Sequence, residues 1–223
     1  MGWLSQSLGS SIGKKFVMAF TGISLILFLI IHLIGNLTLY FGPAAFNGYV
    51  ETLEIVKPVI RVIEIALGLI FVFHVINGVR LWIENKKARP TGYKISGKSE
   101  NSSFFSRTMI QTGSIVFIFL VLHLSTFWYA FNFSGEAHEA GLGFYQIVVD
   151  WFQITWYAIF YVIAVILLGF HLNHGFQSAF QTFGWNHKRY FSFIQKLGTA
   201  YAVLMAIGFA SLPIYFLFFY GGN

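Results

Sequence analysis

The sequence predicts an all-α integral membrane protein whose residues 1–223 form a single domain of five transmembrane helices. The chain is 57% hydrophobic and only 10% charged, whereas a soluble domain carries about a quarter charged residues. The apolar residues are also gathered in five runs that reach the roughly 20 residues an α-helix needs to cross a bilayer. Only helices and closed barrels satisfy the backbone in lipid, and runs this long indicate a helical bundle.

Turn residues separate the five runs. The predicted transmembrane helices cover residues 15–41, 58–84, 107–132, 153–180 and 192–219. Gly42 and Pro43 follow the first run, and Pro58 opens the second. Two shorter stretches, 44–56 and 141–152, have the pattern of amphipathic helices that lie on the outer membrane surface.

Basic residues predict the orientation of the helices. Lys and Arg cluster before the first helix, between the second and third, and between the fourth and fifth, whereas the segment 133–152 has none. Because cytoplasmic loops are enriched in Lys and Arg, we expect the N-terminus in the cytoplasm and the C-terminus outside. The net charge of +6 follows from this topology, and we predict no nucleic-acid partner. The absence of cysteine excludes thiolate-bound zinc and iron–sulfur clusters in this chain.

Each of the first four predicted helices contains a histidine away from its ends. They are His32, His74, His123 and His171. A charged side chain inside the hydrocarbon costs about 2.5–3.5 kcal/mol on insertion scales, so ionisable residues there usually have a function. Four such residues therefore indicate a site.

The first two helices resemble the next two. The stretch MAFTGISLILFLIIHL (18–33) aligns without a gap with MIQTGSIVFIFLVLHL (109–124), and FHVING (73–78) aligns with FHLNHG (170–175). The alignment pairs the histidine of the first helix with that of the third, and the histidine of the second with that of the fourth. Repeats of this kind build bundles around a pseudo-twofold axis.

The depth of the histidines leads to the same pairs. His32 and His123 each lie about 17 residues into a helix that starts in the cytoplasm, roughly 24 Å deep at 1.5 Å per residue. His74 and His171 lie some 10 residues before the cytoplasmic ends of their helices, roughly 15 Å deep. We therefore predict an outer pair (His32 and His123) and an inner pair (His74 and His171).

Two facing imidazoles at each level suit an iron porphyrin with both axial positions filled, which carries electrons and leaves no open position for a substrate. The sequence thus predicts two haems at different depths, bound within a bundle of the first four helices. Repeated glycines suit the close approach of a flat ring, although glycine also serves helix packing in membranes. These candidates are Gly22, Gly113, Gly78 and Gly175.

Other interpretations of the histidines stay open. A single intramembrane histidine could donate to a nearby carbonyl or bond a serine hydroxyl. A zinc site would need carboxylates or thiolates to complete a tetrahedron at each level, and none is predicted there. A proton relay or transporter would need acidic residues in mid-span, whereas Glu64 and Glu84 lie near helix ends.

Three further residues are weaker candidates. His174 could replace His171 as a ligand, but it aligns with Asn77 in the repeat, so we expect it to hydrogen-bond a haem edge or a helix carbonyl. The two amphipathic stretches could cover a quinone pocket on the outer side. Glu51 or Glu54 would then exchange protons with the quinone.

The chain resembles the cytochrome b membrane anchors of succinate dehydrogenases and fumarate reductases, in the branch where one five-helix subunit carries two haems b. The resemblance covers nearly the whole chain. Its most specific stretches are HLIGNLTLYFGPAAFNGY (32–49), SRTMIQTG (106–113) with FLVLHL (119–124), and GFHLNHGFQSAFQTFGW (169–185). The family also has one haem-ligand histidine on each of its first four helices. The resemblance therefore implies that His32 and His123 hold the outer haem and that His74 and His171 hold the inner one. Position 174 departs from the family, where Asn is expected.

The resemblance implies partners and a location. A flavoprotein subunit that oxidises succinate and an iron–sulfur subunit would dock on the cytoplasmic face of a bacterial cytoplasmic (inner) membrane. Electrons would pass to the inner haem, then to the outer haem, then to menaquinone or another quinone. Arg80 would contact a haem propionate. The alternatives are a cytochrome b subunit of a hydrogenase or nitrate reductase, and a histidine-dependent transporter.

Overall fold

The computed structural model describes residues 9–88, 103–135 and 143–221, and these residues contain helices and no strand. The α-helices in this part of the chain are α1 (Ser11–Leu37), α2 (Pro43–Ile55), α3 (Lys57–Lys87), α4 (Phe104–Arg107), α5 (Met109–His123), α6 (Gly143–Gln153), α7 (Thr155–Thr182) and α8 (Lys188–Phe218). A 3₁₀ turn (Thr38–Phe41) extends α1. Two π-helical segments, Leu124–Trp128 and Ala130–Ser134, extend α5.

Five of these helical segments are long and apolar enough to cross a membrane. They are Ser11–Phe41, Lys57–Lys87, Met109–Ser134, Thr155–Thr182 and Lys188–Phe218. Their bounds lie within a few residues of the predicted ones, so the predicted all-α fold with five transmembrane helices is confirmed. The chain is a multi-pass membrane protein.

Local chemistry fixes where the first helices begin and end. The Ser10 hydroxyl accepts a hydrogen bond from the Gly13 amide at 3.0 Å and so caps the start of α1. Gly42 ends the 3₁₀ turn with φ at 86°, a left-handed conformation that favours glycine. Pro43 is the first residue of α2. Proline suits this position because the backbone N–H that it lacks would have no partner within the helix.

Four helices form a bundle in the cyclic order α1, α3, α5, α7. Helix α1 packs against α3 and α7, and α5 packs against α7, whereas α3 and α5 meet along a short seam. Helix α8 lies along α7 and supplies much of the buried core. Helix α3 has no fully buried residue. The predicted bundle of the first four transmembrane helices is therefore present, and α8 lies outside it.

The two predicted amphipathic stretches are helices α2 and α6, which pack together across one end of the bundle, here named the capped end. Residues 141–142 of the second stretch lie outside the described residues. The Asn47 side-chain oxygen accepts a hydrogen bond from the Tyr145 amide at 2.8 Å and joins the two helices. Burial raises the pKa of Tyr49 and of Tyr145 above the ordinary value of a phenol, so both side chains stay protonated into alkaline pH.

The opposite end of the bundle, here named the basic end, holds the start of α1 and the end of α3. The Lys14 ammonium lies 2.7 Å from both carboxylate oxygens of Glu84, and the Lys14 side chain is only 10% exposed. The Asn77 side-chain amide donates to the Lys14 carbonyl at 2.7 Å. These contacts fix the register of α1 against α3.

Candidate cofactor-binding site

The structure brings together the two histidine pairs that the sequence predicts. The ring centroids of His32 and His123 lie 5.7 Å apart, and those of His74 and His171 lie 6.2 Å apart. Each pair joins helices that are diagonally opposite in the bundle: α1 with α5, and α3 with α7. Both pairs therefore face the space that the four helices enclose.

The two pairs lie at different levels along the bundle. Gly22 of α1 faces the ring of His74, since a Cβ at Gly22 would lie 3.5 Å from its Cε1. His32 is ten residues further along α1, which separates the two levels by about 15 Å. The pair of His74 and His171 lies toward the basic end, and the pair of His32 and His123 lies toward the capped end.

Equivalent contacts recur in the two halves of the chain. A Cβ at Gly113 of α5 would lie 3.4 Å from Cε1 of His171, as one at Gly22 would lie beside His74. The sequence repeat therefore has a counterpart in the packing. A Cβ at either glycine would lie in ordinary van der Waals contact with an imidazole ring.

Thr21 determines the proton position on His74. Its hydroxyl lies 2.8 Å from the Val17 carbonyl and donates its hydrogen there. The same oxygen lies 3.1 Å from Nδ1 of His74 and can then only accept. This contact places the imidazole proton on Nδ1 and leaves the lone pair on Nε2, which is how partner groups prepare histidines for a metal.

Tyr161 makes the corresponding contact with His123. Its hydroxyl lies 3.1 Å from Nδ1 of that ring, and the Tyr161 side chain is buried in α7. Thr112 occupies the repeat position of Thr21 and bonds the equivalent carbonyls, those of Thr108 and Met109, but it does not contact Nδ1 of His171. Nδ1 of His171 is buried and has no hydrogen-bond partner in the described part of the chain.

The other predicted residues lie around these pairs with different contacts. Gly78 faces Met18, and nothing lies within 4 Å of a Cβ at Gly175. His174 is partly buried one turn from His171 and belongs to neither ring pair. The Arg80 guanidinium lies 3.1 Å from Glu84 in an ion pair at the basic end.

The two acidic residues predicted on the quinone side lie on α2, at the capped end. Glu51 is exposed. Glu54 forms an ion pair with Lys57 at the start of α3. Both residues are therefore on the side of the bundle nearer the pair of His32 and His123, and their proposed role with a quinone stays a prediction.

Two features of the site did not follow from the sequence. The π-helical segment Leu124–Trp128 begins directly after His123, and such segments are frequent at functional sites. The second is the cluster around Arg61, which binds the Glu64 carboxylate and the Asn132 side-chain oxygen, each at 2.7 Å. The apolar pattern of these stretches gives no sign of either feature.

The spacing of the two imidazoles at each level fits one haem iron between them. Imidazole nitrogens bind metals at about 2 Å, so two rings on opposite sides of one iron have centroids roughly 6 Å apart, close to the two observed spacings. Among the residues that the structure describes, no group of three or more His, Cys, Asp or Glu side chains could hold a metal ion. Two nitrogens per level fit the axial positions of a haem, whose porphyrin supplies the remaining ligands.

Comparison with known protein families finds a match over part of the chain. Residues 16–97 match the family model of the succinate dehydrogenase/fumarate reductase transmembrane subunit. This segment contains His32 and His74, and the other two paired histidines lie beyond it. No curated protein and no solved structure matches the chain. Over this segment the chain is similar to the succinate dehydrogenase/fumarate reductase transmembrane subunits, the family whose cytochrome b anchors the sequence resembles.

Proposed function

We propose that the chain is the dihaem cytochrome b anchor of a succinate:quinone oxidoreductase. The observation that carries the proposal is the presence of two diagonal imidazole pairs at two levels of one membrane bundle, with ring centroids 5.7 and 6.2 Å apart. A single pair could arise from packing, but two pairs related by the sequence repeat need a common cause.

Each pair would hold one haem b through Nε2 of its two histidines. When bound, the two haems supply one-electron carriers at two depths of the membrane. His74 and His171 would hold the haem nearer the basic end, and His32 and His123 the haem nearer the capped end. Thr21 and Tyr161 would orient the rings of His74 and His123, and Gly22 and Gly113 lie beside the rings of His74 and His171.

The charges of the two ends support the proposed direction of electron transfer. The basic end carries Lys14, Arg80, Lys86 and Lys87, consistent with a cytoplasmic face where a flavoprotein and an iron–sulfur subunit dock. Electrons would enter near His74 and leave to a quinone, menaquinone or another, at the capped end. Helices α2 and α6 cover that end and would form one wall of the quinone site.

Purification of the complex tests the identity of the partners. A C-terminally tagged chain extracted from its own membrane in mild detergent is expected to bring down a flavoprotein and an iron–sulfur protein. The preparation should reduce a menaquinone analogue with electrons from succinate. Recovery of hydrogenase or nitrate reductase subunits in their place would contradict the proposal and favour a cytochrome b subunit of another respiratory complex. A colourless chain that purifies alone would favour a transporter.

A further inference from the structure

In two of the four histidines, a side-chain oxygen on the adjacent antiparallel helix contacts Nδ1. Thr21 of α1 contacts His74 of α3, and Tyr161 of α7 contacts His123 of α5, each at 3.1 Å. Such partners fix the orientation of a ligand ring and raise its basicity. In the described part of the chain no side-chain oxygen contacts Nδ1 of His32. The Asn36 side-chain nitrogen, which donates to the His32 carbonyl at 2.8 Å, lies 3.5 Å from Nδ1 and 3.4 Å from Nε2 of that ring.

The repeat identifies the residue that corresponds to Tyr161. Tyr161 lies ten residues before His171, and Glu64 lies ten residues before His74. Because these two histidines correspond in the repeat, Glu64 occupies the position of Tyr161. Tyr161 contacts the α5 histidine, so the equivalent neighbour of Glu64 is His32 on α1.

The packing of α3 against both of its neighbours agrees with this register. His74 of α3 lies beside Gly22 of α1. Glu64 is ten residues before His74, and His32 is ten residues after Gly22, so the two lie at the same level of these antiparallel helices. Toward α5, the Phe71 ring stacks on the Phe117 ring with centroids 6.2 Å apart. Glu64 lies seven residues before Phe71, and Leu124, the residue after His123, lies seven residues after Phe117. Glu64 is therefore level with the pair of His32 and His123.

Glu64 also faces the bundle. Residues 64, 67, 71, 74 and 78 form the less exposed stripe of α3, whereas residues 62, 63, 65 and 66 are exposed. The side chain of Glu64 is 28% exposed and shares this stripe with His74. A carboxylate on the inner face of a transmembrane helix is costly unless it is paired, and such residues are usually functional.

Arg61 holds one oxygen of this carboxylate and leaves the other available. Nη1 of Arg61 donates to Oε2 of Glu64 at 2.7 Å, and Nη2 donates to the Asn132 side chain at 2.7 Å. The Arg61 guanidinium also lies 5.8 Å from the Trp128 ring and 5.6 Å from the Phe133 ring. Within the described part of the chain, Oε1 of Glu64 accepts no hydrogen bond.

We propose that Glu64 is the positioning residue of His32, whose Nδ1–H it accepts through Oε1, from the repeat position at which Tyr161 contacts Nδ1 of His123. The inference rests on the proposed function, because it concerns the outer haem. It makes the two axial ligands of that haem unequal: one imidazole bonds a phenol and the other a carboxylate. A carboxylate stabilises the oxidised, more positive haem more strongly than a neutral acceptor does.

The test is a spectroelectrochemical titration of both haems in the intact complex, for the wild type and for Glu64→Gln, Glu64→Leu and Tyr161→Phe. The Asp150→Asn variant is the matched control, since Asp150 is an exposed carboxylate on α6 whose side-chain partner, among the described residues, is Gln146. We expect Glu64→Gln to raise the midpoint potential of the outer haem by more than Tyr161→Phe does, and to leave the inner haem unchanged. Glu64→Leu should in addition weaken retention of the outer haem by about 10–100-fold, and Asp150→Asn should change neither haem.

The outcomes separate the two proposals. A wild-type complex without b haems overturns the proposed function, and the role of Glu64 with it. If the wild-type complex has two haems but Glu64→Gln leaves the midpoint potential of the outer haem unchanged, only the role of Glu64 is overturned. If Glu64→Leu does not assemble, Glu64→Gln decides alone, because it keeps the size of the side chain and removes its charge.

Discussion

The His74→Ala variant is expected to contain one b haem per chain where the wild type contains two. His74 is the only ring that faces His171 in the described structure, at 6.2 Å between centroids, and alanine offers no nitrogen to the iron. A haem with one remaining histidine in a site built for two is weakly held and is lost on purification. The remaining haem should keep the wild-type potential of the outer haem, because its ligands lie about 15 Å away along the bundle.

His174→Ala is the matched control for this variant. His174 lies one turn from His171 on the same helix and has the same side chain, but it is in neither ring pair. Both haems should persist in His174→Ala. Loss of the inner haem from His174→Ala, with retention in His171→Ala, would show that the fourth ligand was assigned to the wrong residue.

The His123→Ala variant is expected to lose the outer haem and keep the inner one. Electrons from succinate should then still reduce the remaining haem, since the inner pair lies toward the basic end, while reduction of the quinone should fall by a large factor. Stopped-flow absorbance after mixing with succinate separates the two steps. If quinone reduction in His123→Ala equals that of the wild type, the quinone does not receive its electrons through the outer haem.

Tyr161→Phe is the natural comparison for His123→Ala. It removes the hydroxyl that lies 3.1 Å from Nδ1 of His123 and keeps the ring. Both haems should be retained, with a change confined to the outer one, because the loss of one hydrogen bond to a ligand is worth far less than the loss of the ligand. The two variants together therefore distinguish the ligand from the group that orients it.

The fold and the histidine pairs followed from the sequence because both depend on spacing along a helix. Apolar runs of transmembrane length predicted all five helices, and the repeat with its 1.5 Å rise per residue predicted that His32 meets His123 and His74 meets His171. These are properties of single helices and of their direction across the membrane, so no knowledge of side-chain contacts was needed.

The partners of the histidines could not be predicted in the same way. Tyr161 lies in an apolar run beside other aromatic residues, where a membrane-interface role is the ordinary expectation. The sequence places Glu64 near a helix end, and Glu64 does lie near the start of α3. The register of α3 against α1 also places it level with His32. That register is set by contacts such as the one between Gly22 and His74, and a sequence does not show which residues of two helices meet.

The central claim is that this bundle holds two haems, and haem stoichiometry in the purified complex tests it most directly. Pyridine haemochrome quantification should give two b haems per chain, and the reduced-minus-oxidised spectrum should titrate in two steps of equal size. One haem per chain, or none, in a complex that retains its fold would contradict the assignment of the two histidine pairs as axial ligands.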